Sequence, residues 1–145
     1  EEIIIALLEY LALSMDERYT NAISKEQSPE EKFTTLFQNQ FSFFEKNPHF
    51  VVAVFSDGLM DESQRINETI LKIMSVKMKH LMPVIIEGQQ KGIFTSAIAT
   101  HELMQIVMGT FRLQMYKWRL ANFEFDLSTV GEDTIQSVLT LVKVK

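Results

Sequence analysis

The stretch Thr100–Asn122 reads THELMQIVMGTFRLQMYKWRLAN, and its periodicity decides the fold. At about 100° per residue its apolar side chains fall into two groups. Met104, Val107, Met108, Phe111, Met115 and Trp118 share one side, and Ile106, Gly109, Leu113 and Leu120 lie nearly opposite. Polar residues separate them, with Gln105, Arg112, Tyr116 and Arg119 in one gap and Thr110, Gln114 and Lys117 in the other. A surface helix needs one apolar stripe, so two stripes imply two packing partners. Either the chain wraps this helix on both sides, or one side meets the core and the other a twin subunit. The second reading is preferred, because Gly109 on the outer stripe permits close helix approach and two-fold dimers reuse one patch.

Working outward, the next helix is predicted from Ser128 or Thr129 to Val144, with Glu132 and Asp133 in its first turn. Val130, Ile135, Val138, Leu139, Leu141 and Val142 give it more apolar arc than one contact requires. Upstream, a helix from Glu2 to Ile23 places Leu7, Leu8, Leu11 and Met15 on one side. A second opens at Ser28-Pro29-Glu30-Glu31, a capping box with proline at the first helical position, and runs to Lys46. Asn47-Pro48 ends it, since the residue before proline disfavours helix. A short apolar helix covers His49–Ser56, with Asp57-Gly58 as its stop. A long helix starts near Asp61, should kink or split at Pro83, and ends at Gly92, with Ile93 and Phe94 folding back onto the body. Thr100 is the expected N-cap of the two-sided helix. The expected fold is all-α: about six helices in an antiparallel domain spanning residues 1–145.

Composition agrees. The 145 residues fit one domain, which at this size buries roughly 70% of its unfolded surface. Five glycines and three prolines are too few turn-makers for an all-β fold. The absence of cysteine excludes disulfides and thiolate metal sites and fits a reducing compartment, so a cytoplasmic location is expected. No apolar run reaches the length of a membrane span, and the acidic start of EEIIIALLEYLALSM speaks against a signal peptide. With a net charge of -5 and basic residues scattered among acids, these residues alone should not bind nucleic acid.

Chemistry-bearing patterns are missing. His49, His80 and His101 have no ligand spacing to one another or to carboxylates, and no zinc, calcium, phosphate-loop or nucleophile-elbow motif occurs. Glu-x-x-His pairs of a di-iron bundle are also absent. No catalytic residue, metal or cofactor is assigned, and a non-enzymatic protein is expected.

A binding role rests on another pattern. The second helix carries the arc Phe33, Leu36, Phe37, Phe41, Phe43 and Phe44, and Gln40 projects from its middle. A buried amide without partners costs about 1–3 kcal/mol, so Gln40 has an internal partner, lines a wet cavity, or meets a ligand. Eight methionines include the row Met74, Met78, Met82 and the group Met104, Met108, Met115. Methionine is an adaptable core filler and also recurs on permissive binding surfaces. Apolar rows with a few polar groups such as Gln40, Gln105 and Arg112 describe a ligand pocket. A helical interaction module with a solid core is the alternative.

The helix order, the turn Gly92-Ile93-Phe94, the two-sided helix with Gly109 and Trp118, Phe125-Asp126-Leu127 and the closing helix resemble the C-terminal regulatory domain of TetR/AcrR-type transcriptional repressors. Asn47-Pro48-His49-Phe50 looks like the start of that family's short helix, and Glu1-Glu2-Ile3-Ile4 like the end of its linker to the head. The resemblance implies a helix-turn-helix DNA-binding head upstream, absent from these residues. It implies that the last two helices build a four-helix bundle across a homodimer, through Ile106, Gly109, Leu113, Leu120, Ile135, Val138 and Leu141. It also implies a pocket for a small apolar or aromatic effector. Carried onto this sequence, that pocket comprises Phe37, Gln40, Phe41, Phe44, Phe55, Met74, Met78, Met108, Phe111, Arg112 and Met115, with Glu1–Met15 as the transmitting helix.

Overall fold

The computed structural model describes residues 2–55 and 64–144. Among them are six helices: α1 (Glu2–Ala22), α2 (Pro29–Lys46), α3 (Pro48–Val54), α4 (Gln64–Gln90), α5 (Thr100–Leu120) and α6 (Leu127–Val142). Extended structure is limited, in the described residues, to an isolated antiparallel bridge between Phe94 and Lys143. The fold is all-α. The predicted stop at Asp57-Gly58 and the start near Asp61 lie outside the described residues.

Local chemistry sets the ends. The Glu31 N–H donates to Ser28 Oγ at 3.2 Å, and the Ser28 N–H donates to Glu31 Oε1 at 3.0 Å, so the capping box is complete. The two Ser28 hydrogen bonds hold the Glu31 carboxyl below its usual range. Asn47 closes α2, its side-chain amide donating to the Phe43 carbonyl at 2.9 Å, and Pro48 opens α3. At the end of α4, Gly92 takes a φ of 72°, and the N–H groups of Gly92 and Ile93 donate to the Gln89 and Gly88 carbonyls, a Schellman motif. Phe94 then folds back, fully buried, over Gly88.

Two boundary expectations are corrected, and a third is narrowed. Of the kink or split expected at Pro83, the split does not occur, since α4 spans the residue without a break. Pro83 lies on the exposed side, where water can reach the Lys79 carbonyl that lost its donor. Thr100 is the first residue of α5, not its cap, because its hydroxyl donates to Gln89 Oε1. Asp126, not Ser128 or Thr129, caps α6: its carboxylate accepts the Thr129 N–H at 3.1 Å, while Ser128 bonds Glu45. The Thr129 backbone bond holds the Asp126 carboxyl low.

The core sits where α2 crosses the bundle. Phe37 stacks on Phe111 of α5, with ring centroids 3.8 Å apart, and Phe33 and Phe41 flank the same ring at 6.1 and 5.6 Å. α1 lies along α4, and α2 lies against α6. At that second contact Gly131 is required, since a Cβ there would come within 2.5 Å of the Phe41 ring.

The two sides of α5 divide as their sequence pattern does. Met104, Val107, Phe111, Met115 and Trp118 are buried, whereas Ile106, Leu113 and Leu120 are more than half exposed and Gly109 faces open space. Leu141 of α6 is 78% exposed. Ile135 and Val138, expected on the face between copies, are buried by their own chain. The apolar arc of α6 is broad because α2 covers most of it.

Candidate functional site

A cavity of about 240 Å³ lies between α1, α2, α4 and α5. The deep end is apolar. Leu36 and Phe37 of α2, Leu81 of α4, and Met104 and Phe111 of α5 bound it, and all five are buried. Met74 and Met78 of α4 and Met108 of α5 continue the wall toward the surface. The mouth is polar, formed by Lys77 and His80 of α4 and by His101, Gln105 and Arg112 of α5. Gly109 stands beside them, where a missing side chain leaves the rim open.

Two buried polar groups mark the inner wall. Gln40 is 2% exposed, and its Oε1 accepts the Tyr19 hydroxyl at 3.5 Å. Its Nε2 donates to Met115 Sδ at 3.4 Å. Burial pushes the Tyr19 hydroxyl well above its ordinary pKa, so it stays a neutral donor. The Tyr19 ring meets His80 edge-on at 5.5 Å, and His80 Nε2 lies 2.6 Å from Asp16 Oδ1. Asp16 also accepts from Lys79 at 3.0 Å, and the His80 and Lys79 bonds hold its carboxyl below the usual range. One wall of the cavity is therefore tied directly to α1.

Charge in this wall is one-sided. Lys77 and Arg112 border the cavity with two histidines, and no carboxylate does so among the described residues. Lys77 is half-buried, and desolvation, with Arg112 nearby, pushes its pKa down to about 8. Arg112 lies over the Phe55 ring, 4.7 Å from its centroid. Among the described residues no group of three or more metal-ligating side chains occurs, and no helix is long and apolar enough to cross a membrane.

Residues 11–141 match the family model of the YsiA-like protein, C-terminal region. The chain belongs to this family of C-terminal regulatory domains of TetR-type transcriptional regulators, which is non-enzymatic. Solved structures share the fold of this regulatory domain. The transcriptional regulator FadR from Bacillus subtilis, in complex with stearoyl-CoA, matches with a TM-score of 0.83 and 18% identity over 95% of this chain and 74% of that one. The fatty acid degradation regulator FadR from Bacillus halodurans matches at 0.81 and 19%, over 94% and 70%. The MbdR regulator from Azoarcus sp. CIB matches at 0.78 and 21%, over 99% and 77%. No curated protein matches in sequence.

In this regulatory domain Phe37, Gln40, Met74, Met78, Met108, Phe111 and Arg112, expected at the pocket, border the cavity. Phe41, Phe44, Phe55 and Met115, also expected there, are not among the residues that border it. Phe41 packs over Gly131, Phe44 against Phe43, and Phe55 against Tyr116, while Met115 stands behind Gln40. An aromatic arc on one helix is wider than the opening it faces, so its flanks join the core.

Sequence reasoning did not place Tyr19, Lys77, His80 or His101 at the cavity. The signal for Lys77 was present: it interrupts the Met74–Met78–Leu81 row as Gln40 interrupts the phenylalanine arc. Tyr19 carries no such signal, because it interrupts no apolar row and lies outside the Glu1–Met15 segment expected to transmit. Gly109, expected between subunits, both faces open space and borders the cavity.

Proposed function

We propose that this regulatory domain binds a small, mostly apolar or aromatic effector in the cavity between α1, α2, α4 and α5. In this reading it pairs with a second copy through α5 and α6, and effector binding controls a helix-turn-helix head that precedes it in a cytoplasmic repressor. The observation that carries the reading is the cavity itself. It opens where the apolar rows of three helices converge on the buried amide of Gln40, as ligand sites combine apolar walls with few polar groups. Open volume beside Gln40 counts against the solid-core alternative.

Size limits the effector. An engineered cavity of about 150 Å³ holds benzene, so 240 Å³ suits a body somewhat larger than one aromatic ring. The stearoyl-CoA bound by FadR of Bacillus subtilis is far larger. A ligand of that kind would have to extend through the mouth here. Transmission follows from the wall. An effector that displaces His80 acts on Asp16, and through it on α1, the helix at the side of the expected head.

The pairing rests on the exposed stripe Ile106, Leu113 and Leu120 with Leu141 of α6. The effector reading is tested by thermal unfolding with a broad panel of apolar and aromatic compounds. A ligand at 100 times its Kd adds about 2.7 kcal/mol to a folded state it binds selectively. A panel without any rise in melting temperature would sink the reading.

A further inference from the structure

Lys77 is a cation in the cavity wall without a counterion among the described residues. It lies between Met74 and Leu81 on the face of α4 that closes the cavity. The side chain is half-buried at the mouth, and no hydrogen bond or ion pair holds its ammonium among the described residues. Arg112 of α5 borders the same cavity, and it likewise pairs with an aromatic face and with no described carboxylate. Asp16, the acid nearest this wall through His80, is already bound by His80 and Lys79.

Two like charges at one cavity mouth, with no carboxylate in its lining among the described residues, raise the energy of the empty site. Incoming negative charge removes that repulsion and gains charge-assisted hydrogen bonds from a fork and a point donor. We propose that the effector is an amphipathic acid whose carboxylate is held jointly by Lys77 and Arg112, its apolar body lying against Leu36, Phe37, Met104 and Phe111. The proposal rests on the reading of the cavity as the effector site and deepens it by naming the ligand's chemistry.

The head is a free carboxylate, not a coenzyme A thioester. A thioester places a neutral carbonyl where the two cations stand, and its phosphates lie a pantetheine arm away. The volume suits a substituted ring or a medium acyl chain.

Calorimetric titration of the protein with octanoate and 4-phenylbutyrate, with the neutral octanamide and 4-phenylbutyramide, and with octanoyl-CoA tests this. The acids are expected to bind at least roughly tenfold more tightly than the amides, the worth of a charge-assisted hydrogen bond. Lys77→Met should remove that preference while leaving amide binding in place, and Lys77→Arg should restore it. The acid–amide comparison in the unsubstituted protein needs no variant to fold. Equal affinity for acid and amide overturns the proposal. So does octanoyl-CoA binding more tightly than octanoate with no response to Lys77→Met. If these probes are silent while other compounds of the panel stabilise the protein, the acid alone is refuted; if all are silent, the cavity reading falls with it.

Discussion

The side-chain amide of Gln40 donates to the sulfur of Met115 at 3.4 Å, while its oxygen takes the Tyr19 hydroxyl at 3.5 Å. A thioether is a weak acceptor, and 3.5 Å is beyond the usual length of an O–H donor bond. The amide is thus buried but weakly held. Replacing a poorly paired polar group by an apolar one of similar shape is nearly neutral. Gln40→Leu is expected to change ligand-free stability by less than about 1 kcal/mol in urea unfolding. Phe37→Ala, which removes the ring stacked on Phe111, should cost about 3–5 kcal/mol. A loss above about 2 kcal/mol for Gln40→Leu would mean that the amide is well satisfied in solution.

Gly88 and Phe94 couple the end of α4 to the end of α6. A Cβ on Gly88 would stand 2.1 Å from Phe94 Cδ2, and the Phe94 ring is fully buried. The next residue's N–H donates to the Val142 carbonyl at 2.7 Å, so the segment cannot simply lift away. Gly88→Ala gains about 1 kcal/mol of helix propensity and should still lower stability by about 2–3 kcal/mol through overpacking. An unchanged melting temperature would show that the ring moves aside freely.

Local signals in the sequence were read well where the chemistry is local. Ser28 and Glu31 satisfy each other within one turn, and Gly92 reaches a left-handed φ that few other residues adopt. Errors arose where a residue's partner is distant in sequence. The Thr100 hydroxyl resembles a cap until Gln89 claims it from the end of α4. Periodicity reports the width of the α6 arc but not that the chain's own packing buries Val138. The cavity was half legible for the same reason. Gln40 stood out against phenylalanines, but Lys77 acquires meaning only when Arg112 arrives from another helix.

Lys77 makes stability depend on alkaline pH. Burial, with Arg112 behind it, depresses its folded pKa from 10.5 to about 8. Between these values the unfolded chain binds more protons than the folded one, so stability rises with pH across the window. Below about pH 8 the unfavourable charge is fully present. The groups facing it are Arg112 and His101 from α5, Tyr19 from α1 and His80 on its own helix. Lys77→Met should therefore stabilise the ligand-free protein by about 1–2 kcal/mol at pH 7, as apolar replacement of a buried charge often does. That advantage should shrink between pH 8 and 10.5 in parallel unfolding curves. A constant difference would place the ammonium in water.

Gly109 distinguishes a lone protomer from a pair. A Cβ built there meets nothing within 4 Å, and Ile106 and Leu113 beside it are 56% and 54% exposed. In an isolated protomer Gly109→Ala should stabilise by about 1 kcal/mol, the difference in helix propensity. If the partner's helix closes on this position, the added methyl should instead weaken association at micromolar protein. Arginine is the stronger perturbation, since a charge at the centre of an apolar contact is left unpaired. Leu113→Arg acts on the same face without bordering the cavity, so effector binding inside one protomer should survive it. Both Gly109→Arg and Leu113→Arg are expected to give folded monomer in sedimentation velocity, with a melting temperature that no longer depends on concentration. Unchanged sedimentation of the two variants would show that copies do not meet on this side of α5, leaving its apolar stripe to another partner.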